Sequence, residues 1–127
     1  MALIGLGIDV VDVARAEAML EAHRKRVLGR LLTEAEQHYV TRMRYPARHL
    51  AVRLAAKEAV YKAFQALPGT RGIGWREIEV VRDVQGRPNV SLHGLAGRIL
   101  AEQPGARVHV SLTHSELSAA AVAIIEV

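Results

Sequence analysis

The sequence contains no cysteine, so a disulfide and a thiolate metal site are both excluded, as suits a reducing compartment. Aromatic residues make up only 4% of the chain, which removes the row of platforms on which single-stranded nucleic acids stack their bases. No apolar run approaches the ~20 residues that a membrane span needs. Neither a basic stretch nor a small-residue cleavage site follows Met1, so no signal peptide is expected and a cytoplasmic protein is the reading. No His/His/Glu spacing resembles a zinc site. Acid is also in deficit. Seventeen Lys and Arg face thirteen Asp and Glu, for a net charge of +4 and a pI near 10.0. That imbalance calls for an acidic partner, an acidic substrate, or both.

The 127 residues suffice for one domain, 1–127, with a single core built from Ala, Val, Leu and Ile. The stretch Arg53-Leu-Ala-Ala-Lys57-Glu58-Ala-Val-Tyr61-Lys62-Ala63 is its most informative part. At about 100° per residue, Val52, Ala55, Ala56, Ala59, Val60, Ala63, Ala66 and Leu67 share one arc. Arg53, Lys57, Glu58, Tyr61 and Lys62 share the opposite one. The five alanines on the first arc let another element approach the helix backbone closely. The other arc presents Glu58 at a fixed address, unless Glu58 and Lys62 form only an i,i+4 surface pair worth roughly 0.2–0.5 kcal/mol.

Residues 2–13 read as a strand with Ala2, Ile4, Leu6, Ile8 and Val10 on one face and Gly5, Gly7 and Asp9 on the other. Glycines in a strand mark a close approach to its backbone. Asp9 is then either the floor of a site or a strand-ending residue. From about Ala14 to Leu32 the pattern is helical, with a possible break at Gly29. Arg15, Arg24, Lys25, Arg26 and Arg30 lie there against Glu17 and Glu21, with Met19 and Leu20 among them. Such a face suits docking of an acidic helical partner, or is simply solvated. Thr33-x-x-Glu36 is a capping box opening a second helix, and the central helix runs from about Ala47 to Leu67, ending at Pro68-Gly69. The glycine-rich loop Gly69 to Gly74 lacks the lysine spacing of a P-loop. Strands are expected at Trp75–Val84 and Arg87–Leu92 about a Gln85-Gly86 turn, then a helix at Gly94–Glu102. Two more follow at Val108–His114 and Ser118–Val127, the last buried on both faces. The expectation is an α+β fold, helices packed on a mainly antiparallel sheet.

Three stretches taken together, Gly7-Ile-Asp9 running to Arg15, Ala55-Ala-Lys-Glu58 with Lys62, and Ser111-Leu-Thr-His114 before the alanine-rich end, resemble the holo-acyl-carrier-protein synthases, the short 4'-phosphopantetheinyl transferases. The resemblance implies transfer of 4'-phosphopantetheine from coenzyme A to a serine of apo acyl carrier protein. It implies Asp9 and Glu58 as ligands of Mg²⁺, with Glu58 and Lys62 in the chemistry, and a choice between Mg²⁺ and Mn²⁺ that carboxylate oxygens do not make. It makes Arg53 and Lys62 phosphate partners of coenzyme A, and Ser111 with His114 the wall around its adenosine 3'-phosphate end. Arg15, Met19, Arg24 and Arg26 would receive the carrier. A homotrimer with sites between subunits is a further implication. Two rivals remain. A non-catalytic coenzyme A or nucleotide-binding module of the same fold must hold two carboxylates against a polyanion, and a nucleic-acid binder lacks any reading motif.

Overall fold

The computed structural model describes residues 2–127. Strand β1 (Leu3–Asp12) leads into helix α1 (Val13–Leu31), followed by α2 (Glu34–Arg42) and α3 (Pro46–Phe64). Two 3-10 turns, Thr70–Gly72 and Trp75–Glu77, precede β2 (Ile78–Arg82) and β3 (Pro88–Leu92); α4 (Gly94–Ala101), β4 (Arg107–His114) and β5 (Ser118–Glu126) complete the chain. The strands form two antiparallel sheets, β1-β5-β4 and β2-β3. The larger packs on α3. Among the described residues no helix is long and apolar enough to cross a membrane.

Close packing of α3 on β1 explains the strand's glycines. A Cβ built on Gly5 falls 2.0 Å from the Ala63 carbonyl oxygen, and one on Gly7 falls 1.8 Å from that of Ala59. Both are overlaps that no side chain tolerates, so the close approach expected at these glycines is that of the helix. The strand's apolar alternates point the other way: Leu6, Ile8 and Val10 are 60–62% exposed. In register beside them lie Ile124, Val122 and Ala120 of β5, then His109, Ser111 and Thr113 of β4. The terminal strand is therefore buried on its helix face only, where Ala119, Ala121, Ala123 and Ile125 alternate inward.

The capping box at Thr33 forms in both directions, and Glu36 has a second task. Its carboxylate is buried, accepting from Thr33 N at 2.9 Å, Val80 N at 3.0 Å and Lys57 Nζ at 2.8 Å. Lys57 is thus inside the protein, 1% exposed, and Arg53 is buried too. Helix α2 and strand β2 cover the arc that the wheel assigns to charge. From Leu50 to Phe64 only Glu58, Tyr61 and Lys62 escape full burial. Helix α1 is interrupted at His23 (φ −151°, ψ 58°) in place of Gly29, and Asp12 sits at its N-cap without a side-chain bond. The first strand of the hairpin starts at Ile78 because Trp75–Glu77 is wound into a turn, where Glu77 accepts from Gly74 N.

Gly7→Ala is expected to cost about 3 kcal/mol or more, the upper range of overpacking, because its Cβ would lie 1.8 Å from the Ala59 carbonyl oxygen and neither backbone can give way enough to relieve that overlap. Gly29→Ala, with nothing within 4 Å, is expected to be neutral or stabilising by up to about 1 kcal/mol. Urea unfolding of the pair measures both, and a Gly7→Ala protein as stable as Gly29→Ala would contradict the packing.

Candidate active site

Asp9 is the first residue with a side chain on the helix face of β1, beyond the two glycines. Lys62 reaches it from α3: Nζ donates to Asp9 Oδ1 at 3.1 Å and to the Ile8 carbonyl at 2.9 Å. The lysine is therefore spent on the strand, and the alternative of a plain Glu58–Lys62 surface pair is not what forms. Glu58 stands one helical turn before Lys62 on the same strip, a separation of roughly 5–6 Å between Cβ atoms. It opens onto a cavity of about 210 Å³ lined also by Tyr61, Ile73, Gly74, Trp75 and Ile78. A carboxylate from the strand thus holds the ammonium and one from the helix stands a turn away, on the only strip of α3 left unburied from Leu50 onward.

No group of three His, Asp or Glu side chains gathers into a metal cage among the described residues. The donor set nonetheless fits a Mg²⁺ ion, which typically takes one or two carboxylates and completes its shell with substrate phosphates and water. All-oxygen ligands of this kind are poor partners for soft metals.

The other predicted ligand-binding residues fall elsewhere. Arg53 lies nine residues before Lys62, about half a turn round the helix. Its guanidinium stacks on Tyr39 at 4.4 Å, with its Nη1 donating to the His49 carbonyl at 3.4 Å and its buried Nε without a partner. The His49 ring lies 5.7 Å from Tyr39 and 5.8 Å from His114, and Arg82 reaches over Tyr39 at 5.3 Å. Arg53 and His114 therefore meet in one cationic cluster, separate from Lys62. Burial, together with Arg53, His114, Arg82 and Arg48, holds the His49 pKa below its ordinary value; burial likewise lowers that of Arg53, against the pull of Glu36 and Tyr39. Ser111 is not part of this cluster. Strand alternation turns it to the outer face of the sheet, beside Val122, while His114 pairs with Ala119 on the helix side. Tyr39, His49 and Arg82 carry no motif, and only the packing of α2 and β2 on α3 reveals them.

Arg15, Arg24 and Arg26 are exposed on α1, and Met19 is half-buried against the core. Beside them a groove of about 520 Å³ runs between α1, the start of α3 and the β4–β5 turn, lined by Leu20, Arg24, Arg44, Tyr45, Arg48 and Leu117 among others. Glu17, Glu21 and Glu116 also border it.

A carboxylate pair with a lysine between strand and helix, and a separate cationic cluster, make an arrangement suited to a polyanionic substrate held with a cation. The model of the 4'-phosphopantetheinyl transferase superfamily matches residues 5–124. The chain is 46% identical over 125 residues to the holo-[acyl-carrier-protein] synthase of Treponema denticola, covering 98% of each. It superposes on the acyl carrier protein synthase of Mycobacterium tuberculosis with a TM-score of 0.78 at 39% identity, covering 98% of each chain. An ACPS–CoA complex from Chronobacterium ammoniagenes gives a TM-score of 0.82 at 28% identity, covering 98% of this chain and 97% of that one. The chain belongs to the 4'-phosphopantetheinyl transferase superfamily, and within it its relatives are the holo-acyl-carrier-protein synthases.

The lowered His49 pKa carries a sign. The unfolded chain protonates His49 near pH 6.5 while the folded ring protonates only at lower pH, so between the two the unfolded state binds more protons and stability falls as pH drops through 6.5. Melting curves from pH 7 downward should show a smaller loss for His49→Gln than for the wild type; superimposable profiles would contradict the assignment.

Proposed function

We propose that the chain transfers 4'-phosphopantetheine from coenzyme A to a serine of an apo acyl carrier protein, releasing adenosine 3',5'-bisphosphate, in the cytoplasm. The observation that carries this reading is the Asp9–Lys62 contact with Glu58 one turn away in a member of this superfamily. The serine oxygen forms a bond to the β-phosphorus of coenzyme A. The bond from that phosphorus to the bridging oxygen breaks, and the leaving bisphosphate keeps the electron pair. Lys62, anchored by Asp9 and Ile8, holds its positive charge against the pyrophosphate as charge grows on the leaving oxygen, which is positioning and electrostatic catalysis. Asp9 and Glu58 would hold Mg²⁺, which when bound neutralises pyrophosphate charge. A carboxylate has two oxygens, and in this reading Glu58, which opens onto the cavity, takes the serine proton.

Assembly as a homotrimer, implied by the family resemblance, is supported by two features. The outer face of the large sheet is apolar and uncovered at Leu6, Ile8 and Val10, a surface that suits burial against another copy. The cationic cluster at Arg53 and His114 and the carboxylate strip lie on different sides of α3, so a neighbouring copy can supply one half to the other. The exposed arginines of α1 suit an acidic carrier. The rival module without chemistry is disfavoured by the carboxylates themselves, which repel a polyanion unless a cation lies between them.

Intact mass of an apo carrier incubated with the protein, coenzyme A and Mg²⁺ should rise by one phosphopantetheine group, and EDTA should abolish the rise. Measurable coenzyme A binding without any mass gain would favour the module. Glu58→Gln should lower kcat by about 10²-fold or more, within the range for a lost general base; full turnover with normal ligand binding would remove Glu58 from that role. Neutralising Arg15, Arg24 and Arg26 should raise the KM for carrier and leave coenzyme A affinity unchanged. Sedimentation should give a trimer that Ile8→Lys dissociates with loss of activity, whereas a stable, active monomer would refute the assembly.

A further inference from the structure

Lys57 is immediately next to Glu58 and takes no part in the chemistry described above, yet it is one of the most completely buried side chains in the protein. Burial pulls its pKa down, and Glu36 opposes that pull. A buried ion pair is often replaceable by apolar groups of the same volume without loss of stability, so filling space does not explain a lysine here. Its hydrogen bonds do. Besides Glu36, the ammonium donates to the carbonyl of Trp75 at 2.9 Å and to that of Ile78. These two carbonyls bracket the 3-10 turn Trp75–Glu77, and their residues form the wall of the cavity that faces Glu58. The turn is clamped from behind as well: Glu77 accepts from Ala96 N at 3.0 Å, and its carbonyl from His93 N at 2.8 Å.

We propose that Lys57 is a positioning residue for the transfer reaction: with Glu36 as its counter-ion, it straps the Trp75–Ile78 wall to α3 and so sets the width of the cleft at Glu58. The proposal rests on the reading of Glu58 as part of the reaction centre. An uncharged side chain would fill the same volume while releasing both carbonyls. The wall would then move away from Glu58 even though α2, α3 and β2 stayed packed. Three elements far apart in sequence meet at this one ammonium, and the residue that follows it on the helix is the proposed base.

Trp75 is the only tryptophan in the chain, so its fluorescence reads the wall directly. In Glu36→Gln/Lys57→Met, which removes both charges together and leaves neither one buried alone, far-UV circular dichroism should match the wild type. Emission from Trp75 should shift to the red, acrylamide quenching should rise about twofold, and the KM for coenzyme A should rise at least tenfold while that for carrier stays within twofold. Lys57→Gln, whose amide can still donate to one carbonyl, should fall between, and it carries the test by the same readings if the double variant does not fold. Val40→Ala, a core truncation in α2, should lower the melting temperature and move neither the tryptophan signal nor the KM. Unchanged fluorescence and KM in a folded strap variant, or an equal KM change in Val40→Ala, would overturn the proposal. Absence of transfer by the wild type would instead defeat the reading of the site, and Trp75 quenching in the strap variants would still decide whether Lys57 holds the wall.

Discussion

The structure depends on a contact between two backbones. Helix α3 lies against β1 so closely that the strand has no side chains at Gly5 and Gly7, and this fixes the level at which the next inward residue, Asp9, meets the helix. Lys62 then finds both Asp9 and the Ile8 carbonyl within hydrogen-bond reach. A helix standing at the ordinary ~10 Å layer spacing would leave room for side chains at both glycines and carry Lys62 away from the strand. Small residues on both partners, glycine in the strand and alanine in the helix, make the site possible.

The remaining sides of α3 are closed by groups that the strand does not touch. Glu36 completes the cap of α2, accepts from the β2 backbone and neutralises Lys57, so one carboxylate links a helix start, a strand and the central helix. Arg53 is covered by Tyr39 of α2. With these positions filled, α3 from Leu50 onward shows solvent only the strip of Glu58, Tyr61 and Lys62. Polar residues inside a core carry a desolvation cost, and here the two buried cations are held where they fix the helix between the sheet and the candidate site.

The element order was legible because periodicity and the capping box are local; Asp9, Glu58 and Lys62 were left open by the residues alone and were grouped only by the family resemblance, and of that group the structure shows the Lys62–Asp9 contact. The α+β class held, with two antiparallel sheets where one was expected. What misled was the helical wheel, which sees one helix alone: Lys57 and Arg53 read as surface charges because nothing in the wheel tells that α2 and β2 close over them. The wheel is equally blind to Tyr39 and His49, which join Arg53 to His114; the pairing of Ser111 with His114 came from the family resemblance, and the strand turns the two to opposite faces. Gly29 suggested a break in α1, but an interior residue with open space around it keeps helical geometry, and the chain bends at His23.

The account rests on Asp9 and Glu58 acting as one unit although one comes from the strand and the other from the helix. A double-mutant cycle with Asp9→Asn and Glu58→Gln, read as kcat/KM for coenzyme A in Mg²⁺, tests that directly. The prediction is strong non-additivity, the double variant losing little more than the worse single one. Losses that simply multiply would mean two independent residues, and would contradict a shared site.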